Sequence, residues 1–454
     1  MSRASTPPRS AALLLVALLG GACTGPAGEP GPQGSQGGPG LACWDLNQNG
    51  QCDLATEDLN QDGVCDALDC HIEQGGSGGT GGLGGSGGTG GVGGSEPETP
   101  YVGMDVCNLC HEDNITEHAL SGHASALSKT DGVHAPSRPY DSFTGGVHAP
   151  PLFTPWSDVS YVVGGFAWRD LYVQTDGYLL TGPNAGDDTQ WNFANAEVGT
   201  TAGWASYHGG EQVPFDCGSC HATGWIPCAV GDASCQHQDG MPGMAGSFYG
   251  PAVQCEACHG PGKDHASSPY YVKPTVDRSA EACGRCHGVD DPERIQAADG
   301  FIASQQQYNQ LFAGKKRIMR CIDCHDPHQS ITFSDPDINP NGGFRTPCLN
   351  CHIGFDSNQK SLEMMIAPVE CTDCHMPPMA KSAVGDLASF TADLPGHLFV
   401  INHDQTAPQF YTDGGQEYSE PYITLDYACH HCHGNGASDK TLGELEAMAT
   451  GYHQ

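Results

Sequence analysis

The chain has 454 residues and a formal net charge of −35, because 53 acidic residues outnumber 18 basic ones. This charge argues against nucleic acid as a partner, since phosphate backbones are bound by clustered Lys and Arg. Only 38% of the residues are hydrophobic and 63 are glycine, which is poor for an ordinary globular enzyme of this length. Much of the chain is therefore expected to lie outside a conventional core.

Residues 1–22 predict an export signal. A short basic region precedes an apolar run from Ala11 to Leu19, which is too short to span a bilayer as a mature helix. The run ends in LGGAC, and Cys23 closes a pattern that resembles a bacterial lipobox, although Gly20 stands where Leu is usual. We expect an outer-membrane lipoprotein anchored through Cys23 and facing the periplasm or the cell surface. Simple cleavage without a lipid is the alternative.

Two low-complexity segments predict a tether between this anchor and a folded domain. Residues 24–42 contain five Gly-x-y triplets, a collagen-like pattern that favours a stiff spacer over a trimer at this length. Residues 73–100 are Gly-rich, with 14 glycines between 75 and 95. Such a linker is flexible, and the stretch from 75 to 95 spans roughly 25 Å.

Residues 43–72 predict a calcium-binding segment. Two tandem acidic loops place oxygen-bearing side chains at alternate positions with Gly at the sixth, as a calcium loop requires. The segment resembles thrombospondin type 3 and dockerin-like repeats, which implies structural calcium. Cys43, Cys52, Cys65 and Cys70 are expected to form two disulfides of undetermined pairing, and an acidic linker held by disulfides alone is the alternative. The candidate ligands are Asp45, Asn47, Asn49, Asp53, Asp58, Asn60, Asp62, Asp66 and Asp69.

The region 101–454 carries eight copies of Cys-x-x-Cys-His, the attachment signature for c-type haem. On a helical turn, positions i, i+3 and i+4 share a face, so two thiols can form thioethers to one porphyrin while the imidazole binds its iron. The expected thioether cysteines are Cys107, Cys110, Cys217, Cys220, Cys255, Cys258, Cys283, Cys286, Cys321, Cys324, Cys348, Cys351, Cys371, Cys374, Cys429 and Cys432. The expected proximal iron ligands are His111, His221, His259, His287, His325, His352, His375 and His433.

Eight haems predict the fold class of this domain. With 354 residues for eight motifs, about 44 residues surround each one. We expect mostly short α-helices and loops wrapped around a stack of eight haems, with little regular secondary structure. The long gap at 112–216 predicts a small β insertion, either a small antiparallel sheet or a hairpin, because Ser160 to Gly182 is rich in aromatic and β-branched residues and contains an Asp176-Gly177 turn signal. The insertion is expected to pack, or alternatively to cover haem edges or dock a partner.

The domain has more histidines than the motifs use, and eight of them would give every iron a second imidazole. Two imidazoles keep iron low-spin and close it to substrate, which favours electron transfer. A histidine that closely follows its own motif is expected to cap a neighbouring haem rather than its own. The distal candidates are His118, His123, His134, His148, His208, His265, His328, His397 and His403.

Cys228 and Cys235 lie outside the motifs and only seven residues apart. This spacing predicts a local disulfide in an exported protein. A redox-active thiol pair is the alternative.

Phrases such as CEACHGPG, CIDCHDPH and CTDCHMP resemble multihaem c-type cytochromes related to hydroxylamine oxidoreductase. That group includes octahaem tetrathionate reductase and tetrahaem electron carriers, and the resemblance extends from about Cys107 to Gly434. It implies a chain of parallel and perpendicular haem pairs, mostly with two imidazole ligands. Enzymes of the group leave one haem open or weakly bound by Lys. No motif here replaces its His by Lys, but a distal Lys stays open, with Lys129 and Lys263 as the candidates.

These patterns lead to two functional hypotheses. The first is an exported octahaem electron carrier in periplasmic or extracellular electron transfer. Its partners would be redox proteins or an extracellular acceptor such as a metal oxide or another cytochrome, with the membrane reached through the lipid anchor. The second is a reductase or oxidoreductase of small nitrogen or sulfur compounds, which needs one open haem. A calcium-dependent adhesin that merely carries haem is a third, weaker alternative.

Overall fold

The structure, a computed structural model, describes Thr56 and residues 99–141, 145–289, 291–333, 343–353, 369–434 and 439–450. The predicted export signal at 1–22, the lipid site at Cys23, the spacer at 24–42, all predicted calcium ligands and nearly all of the glycine linker lie outside the described residues. Among the helices within those ranges, none is long and apolar enough to cross a bilayer.

The insertion between the first two motifs folds into a five-stranded antiparallel sheet with its strands in chain order. β-branched and aromatic side chains favour such a pleated surface. Tyr161 and Val163 bury one face, whereas Val162 and Tyr172 bury the other. A register shift between Val159 and Tyr161 turns Val159 to the same face as Val162. The strands are β1 Leu127–Lys129, β2 Val159–Gly164, β3 Arg169–Gln174, β4 Asp188–Asn192 and β5 Gly203–Ser206.

Two short antiparallel strand pairs follow the second motif. Their strands are β6 Ala222–Thr223, β7 Ile226–Pro227, β8 Gly246–Ser247 and β9 Gly250–Pro251. The predicted local disulfide is confirmed here, since Cys228 and Cys235 are bonded with their Cα atoms 5.9 Å apart. Beside the bridge, Nδ1–H of His237 donates to the carbonyl of Met244 at 2.6 Å. The disulfide thus closes a loop that directly follows β7.

A second, six-stranded sheet lies in the C-terminal half, in the order β13-β12-β11-β10-β15-β14. Only the pairing of β11 with β12 is parallel within this sheet. Its fully buried side chains include Ile302, Met379 and Ile423, which belong to one apolar cluster. The strands are β10 Ile295–Ala298, β11 Phe301–Ala303, β12 Ala380–Asp386, β13 Thr391–Leu394, β14 Phe410–Asp413 and β15 Gln416–Ser419.

The helices are short, as the sequence predicted. The first turn of α6 is capped by Ser279, which accepts from the Ala282 amide, and α10 begins with a capping box formed by Thr441 and Glu444. The α-helices are α1 Met104–Asn108, α2 Glu112–Ala119, α3 Gly218–His221, α4 Cys255–His259, α5 Lys263–Ser267, α6 Ala280–His287, α7 Gln307–Ala313, α8 Cys371–His375, α9 His431–His433 and α10 Leu442–Ala449. Single turns of 3₁₀ helix occur at Trp156–Asp158, Gln238–Gly240, Cys321–Asp323 and Cys348–Asn350, and a π turn at Asp426–His430.

The expectation of a small β insertion understated the β content. The insertion forms five strands rather than one hairpin, and a second sheet of six strands was not predicted at all. The sequence pattern did not predict the second sheet, because its strands have only three to seven residues and come from segments spread between 295 and 419. Strands this short carry too few residues for their alternation to stand out, and long-range pairing then decides the structure.

The predicted turn at Asp176-Gly177 is present and offers a test of the first sheet. Gly177 has a φ of +88°, and an added Cβ would lie 2.5 Å from the backbone nitrogen of Met244. Gly231 has a similar φ of +84° with open space around it. A left-handed backbone costs a non-glycine residue about 1–2 kcal/mol. We therefore expect Gly231→Ala to lower the free energy of unfolding by about that amount and Gly177→Ala by clearly more.

Denaturant titration of the two variants and the parent protein measures this difference. Because both substitutions carry the same φ penalty, only the contact with Met244 separates them. Equal losses in the two variants would contradict the tight approach of the turn to that backbone.

Candidate haem-binding sites

Each motif lies on a helical turn that brings its three functional side chains to one face. In the motifs at Cys107, Cys217, Cys321 and Cys348, the amide of the closing His donates to the carbonyl of the first Cys at 2.9 to 3.0 Å. This i+4 bond is the repeat of an α-helix. The two thiols and the imidazole therefore project toward the same side, as attachment to one porphyrin requires. The motifs are numbered one to eight in chain order.

Four motif histidines face a second imidazole from a distant part of the chain. The two rings of each pair have centroids 6.2 or 6.3 Å apart, although the angles between the rings range from 26° to 63°. Each second imidazole was a distal candidate in the sequence. The pairs are His111 with His265, His287 with His123, His259 with His328 and His325 with His397.

This common separation is a test of whether the residues fit a haem iron. Imidazole nitrogen binds a first-row metal at about 2.0–2.1 Å. In a five-membered ring with bonds of about 1.33 Å, each nitrogen lies about 1.1 Å from the centroid. One metal ion between two imidazoles therefore sets the centroids about 6.2–6.4 Å apart. The four pairs have that separation, so the residues present fit an iron held from both sides.

Hydrogen bonds at Nδ1 orient one of the paired imidazoles and two other motif histidines. Nδ1–H of His265 donates to the carbonyl of Val272 at 2.7 Å, that of His221 to Ala126 at 2.9 Å and that of His375 to Phe399 at 2.6 Å. A carbonyl can only accept, so the proton lies on Nδ1 and the lone pair on Nε2. Metal-bound histidines use their second nitrogen in this way.

Burial keeps two of the distal imidazoles neutral. It lowers the pKa of His123 to about 4, and the neighbouring His287 lowers it further. It likewise lowers the pKa of His397 to about 4, with a smaller contribution from His325. A neutral imidazole is the form that binds a metal. Both distal residues are therefore in the ligating form near pH 7.

Cysteines of different motifs lie close enough to shift each other's pKa. The neighbouring pairs are Cys107 with Cys255, Cys286 with Cys220, Cys321 with Cys283, Cys258 with Cys283, Cys324 with Cys348, Cys371 with Cys348 and Cys374 with Cys429. These neighbouring cysteines connect the motifs in the order 1-3-4-5-6-7-8. The second motif neighbours the fourth and forms a branch there. Chain order alone did not predict that branch.

The other distal candidates make different contacts. Nε2–H of buried His118 donates to the carbonyl of Val253 at 2.9 Å. His134 pairs with Asp131 at 2.8 Å and His208 with Glu211 at 2.9 Å, both on the surface. His148 stacks on Trp191 with centroids 3.7 Å apart, and His403 is exposed. Within the described ranges, none of these five rings pairs with a motif histidine.

The second motif has a different environment. His221 is partly buried, and no second imidazole pairs with it in the part of the chain that the structure describes. Burial lowers its pKa, and the charge of nearby Arg169 lowers it further. Arg169 also lies near Tyr207, which in turn neighbours Cys217. Sequence analysis missed this arginine because it lies 48 residues before the motif in β3, where nothing in its local sequence marks it.

A shallow cavity extends from Arg169 to the second sheet. It is lined by Arg169, Ala298, Phe301, Ile302, Ala303, Ser304, Gln305, Lys381 and Ser382. Its two cations are Arg169 and Lys381, although Lys381 also pairs with Asp299 at 3.0 Å. Their charges would favour a small anion over a cation there.

No family model and no curated protein matches this chain. Three solved structures are similar to it. They are the outer cell wall cytochrome OcwA (17% identity, 78% of this chain and 87% of that one, TM-score 0.45), the octahaem sulfite reductase MccA of Wolinella succinogenes (16%, 74% and 65%, 0.47) and an undecahaem cytochrome from the S-layer of Carboxydothermus ferrireducens (16%, 77% and 60%, 0.41). At these scores the likeness is coarse, and the haem assignment rests on this chain's own motifs and imidazole pairs.

The pairing of His265 with His111 can be tested by removing the distal imidazole. In His265→Ala, one iron per chain loses a ligand and is expected to change from low-spin to high-spin. His134→Ala is the matched control, because its side chain is 76% exposed and pairs only with Asp131. Electron paramagnetic resonance of the ferric proteins, with haem quantified per chain, counts the high-spin irons. An unchanged low-spin count in His265→Ala would contradict the pairing.

Proposed function

We propose that this chain is an exported octahaem c-type cytochrome that carries electrons along haems held mostly between two imidazoles. The observation that supports this best is the set of four imidazole pairs at 6.2 or 6.3 Å. Unrelated packing contacts would not be expected to give the same centroid separation in four pairs whose rings meet at different angles. A shared metal–nitrogen bond length gives that repeat directly. Iron held by two imidazoles has no position for a substrate, which favours electron transfer over catalysis.

The residues of each motif have defined roles in this proposal. The two cysteines would hold the porphyrin covalently, and the histidine of the motif would bind the iron. When bound, haem supplies a one-electron redox centre at each motif. The distal imidazoles of His123, His265, His328 and His397 close four of these centres. Backbone carbonyls such as those of Val272 and Ala126 fix the imidazole rings in orientation.

The connected order of the motifs supports transport over a distance. The close approaches run from the first motif through the third to the eighth, with the second motif as a branch at the fourth. Such a series has separate ends, at the first and second motifs and at the eighth. We propose that electrons enter near one end and leave near the other.

The remaining sequence features complete the proposal. Residues 1–22 would direct export, Cys23 would carry a lipid in the outer membrane, and residues 24–100 would tether the haem domain, with calcium bound at 43–72. The net charge of −35 favours a basic redox protein or a positively charged metal oxide surface as partner, and another cytochrome is also possible at an end of the series. The tether would let the domain reach such an acceptor while it stays anchored.

The first experiment is haem quantification per chain together with reoxidation of the reduced protein by a ferric oxide suspension. We expect eight haems, mostly low-spin, and reoxidation of all eight. Because the attraction to a positively charged oxide is electrostatic, the rate is expected to fall as salt rises. Fewer than eight haems, or haems that a mineral acceptor and a basic cytochrome both leave reduced, would refute the carrier proposal.

A second candidate function is reduction of a small nitrogen or sulfur oxyanion at the second motif. The observation that favours it is that His221 has no imidazole partner among the described residues while Arg169 lies near it. An arginine cannot ligate iron, because its guanidinium stays protonated. It can, however, hold an anion by charge and hydrogen bonds.

Anion binding distinguishes the two functions. If the second candidate is correct, one haem per chain is high-spin in the parent protein, and its spectrum shifts when nitrite or sulfite is added. Arg169→Gln is expected to weaken that binding by about 10- to 150-fold, since a hydrogen bond to a charged group contributes about 1.5–3 kcal/mol. Arg294→Gln is the control, because Arg294 pairs with Asp413 at the far end of β10. A parent protein with no anion-sensitive haem would eliminate this candidate.

A further inference from the structure

Lys316 lies at the junction of the fifth and sixth motifs. It is in the turn after α7, where the amide of Met319 donates to its carbonyl at 2.9 Å. Its Nζ lies 3.4 Å from Nε2 of His352, the histidine of the sixth motif. Its charge also opposes the rise in pKa that burial gives Cys324 of the fifth motif. Lys316 is therefore placed by the fold against the nitrogen of His352 that a haem iron would use.

Two other lysines contact carboxylates instead of a motif histidine. Lys129 pairs with Asp239 at 2.8 Å and Lys381 with Asp299 at 3.0 Å, as expected where acidic residues outnumber basic ones. Lys316 has no such ion pair with any carboxylate of the described residues, and its side chain is only partly exposed. An amine and an imidazole nitrogen that face each other in this way are two potential metal ligands.

The separation is close to what one iron needs. Two nitrogens on opposite sides of a metal, each at about 2.0–2.1 Å, lie about 4.1 Å apart. The observed 3.4 Å is shorter by less than 1 Å. The four-carbon stem of lysine is flexible enough to withdraw by that amount. Lys315, the preceding residue, is exposed and has no contact with a motif histidine within the described ranges.

We propose that Lys316 is the distal ligand of the haem at the sixth motif, so that this haem is held by His352 and a lysine amine. The proposal rests on the proposed haem at that motif. On ligation, Nζ releases one proton to solvent, and its lone pair forms a bond to the iron without any change in oxidation state. One centre of the series would then differ in its ligands from the four imidazole pairs, and with them in reduction potential.

Three variants test this assignment in the full haem-loaded chain. Lys316→Ala is expected to add one high-spin haem per chain to the number found in the parent, as counted by electron paramagnetic resonance. Lys315→Ala is the matched control and is expected to add none. Lys316→Met offers a thioether to the same iron. The haem at the sixth motif is therefore expected to stay low-spin but to titrate at a higher potential than in the parent.

Two results would overturn the proposal while leaving the carrier function intact. One is a Lys316→Ala protein that binds eight haems with the same high-spin count as the parent. The other is a Lys316→Met protein whose redox titration is identical to that of the parent. A parent protein that lacks a haem at the sixth motif would instead contradict the proposed function itself, and haem quantification per chain separates that case from the other two.

Discussion

The structure depends on imidazoles that meet across long stretches of chain. His265 faces His111 from 154 residues away, and His123 faces His287 from 164 residues away. Bringing such distant segments together costs loop-closure entropy, which grows only slowly with length. A bond to a shared iron, as proposed, would compensate that cost, because the binding free energy of a structural metal is also folding free energy. In a chain with few apolar residues, metal binding would then supply folding stability that other proteins gain from a hydrophobic core.

The two sheets supply the rest of the core and hold the paired rings in place. His123 follows α2 and precedes β1, so the first sheet fixes the segment that reaches the fourth motif. His397 follows β13 of the second sheet, and its amide donates to the side chain of Gln310 in α7 at 2.6 Å. The carbonyl of Asp393 accepts from Trp168 at 3.2 Å, which links the second sheet to the segment before β3. The sheets therefore do more than fill space, because they set where the distal imidazoles lie.

How much the sequence predicts depends on the range of the interaction. The motif turns, the Cys228–Cys235 disulfide and the Asp176-Gly177 turn all lie within a few residues and follow from local chemistry. Distal candidates were visible as histidines, but their partners were not. His123, His134 and His148 look alike in the sequence, yet only His123 meets a motif ring. Nothing in the local sequence marked the second sheet, Arg169 or Lys316, because the role of each depends on contacts with residues far along the chain.

The insertion at 112–216 sets the second motif apart from the four motifs that have imidazole pairs. It contains five distal candidates, and only His123 pairs with a motif ring, that of the fourth motif. His134, His148 and His208 contact Asp131, Trp191 and Glu211 instead. The insertion contributes two groups to the second motif. The Ala126 carbonyl orients the ring of His221, and Arg169 places a positive charge beside that ring. A segment that orients an imidazole and adds a cation, but no second imidazole, favours an exchangeable anion over a permanent ligand. Under the two proposed functions, the same insertion would supply a closing imidazole to the fourth motif and an anion-binding cation to the second.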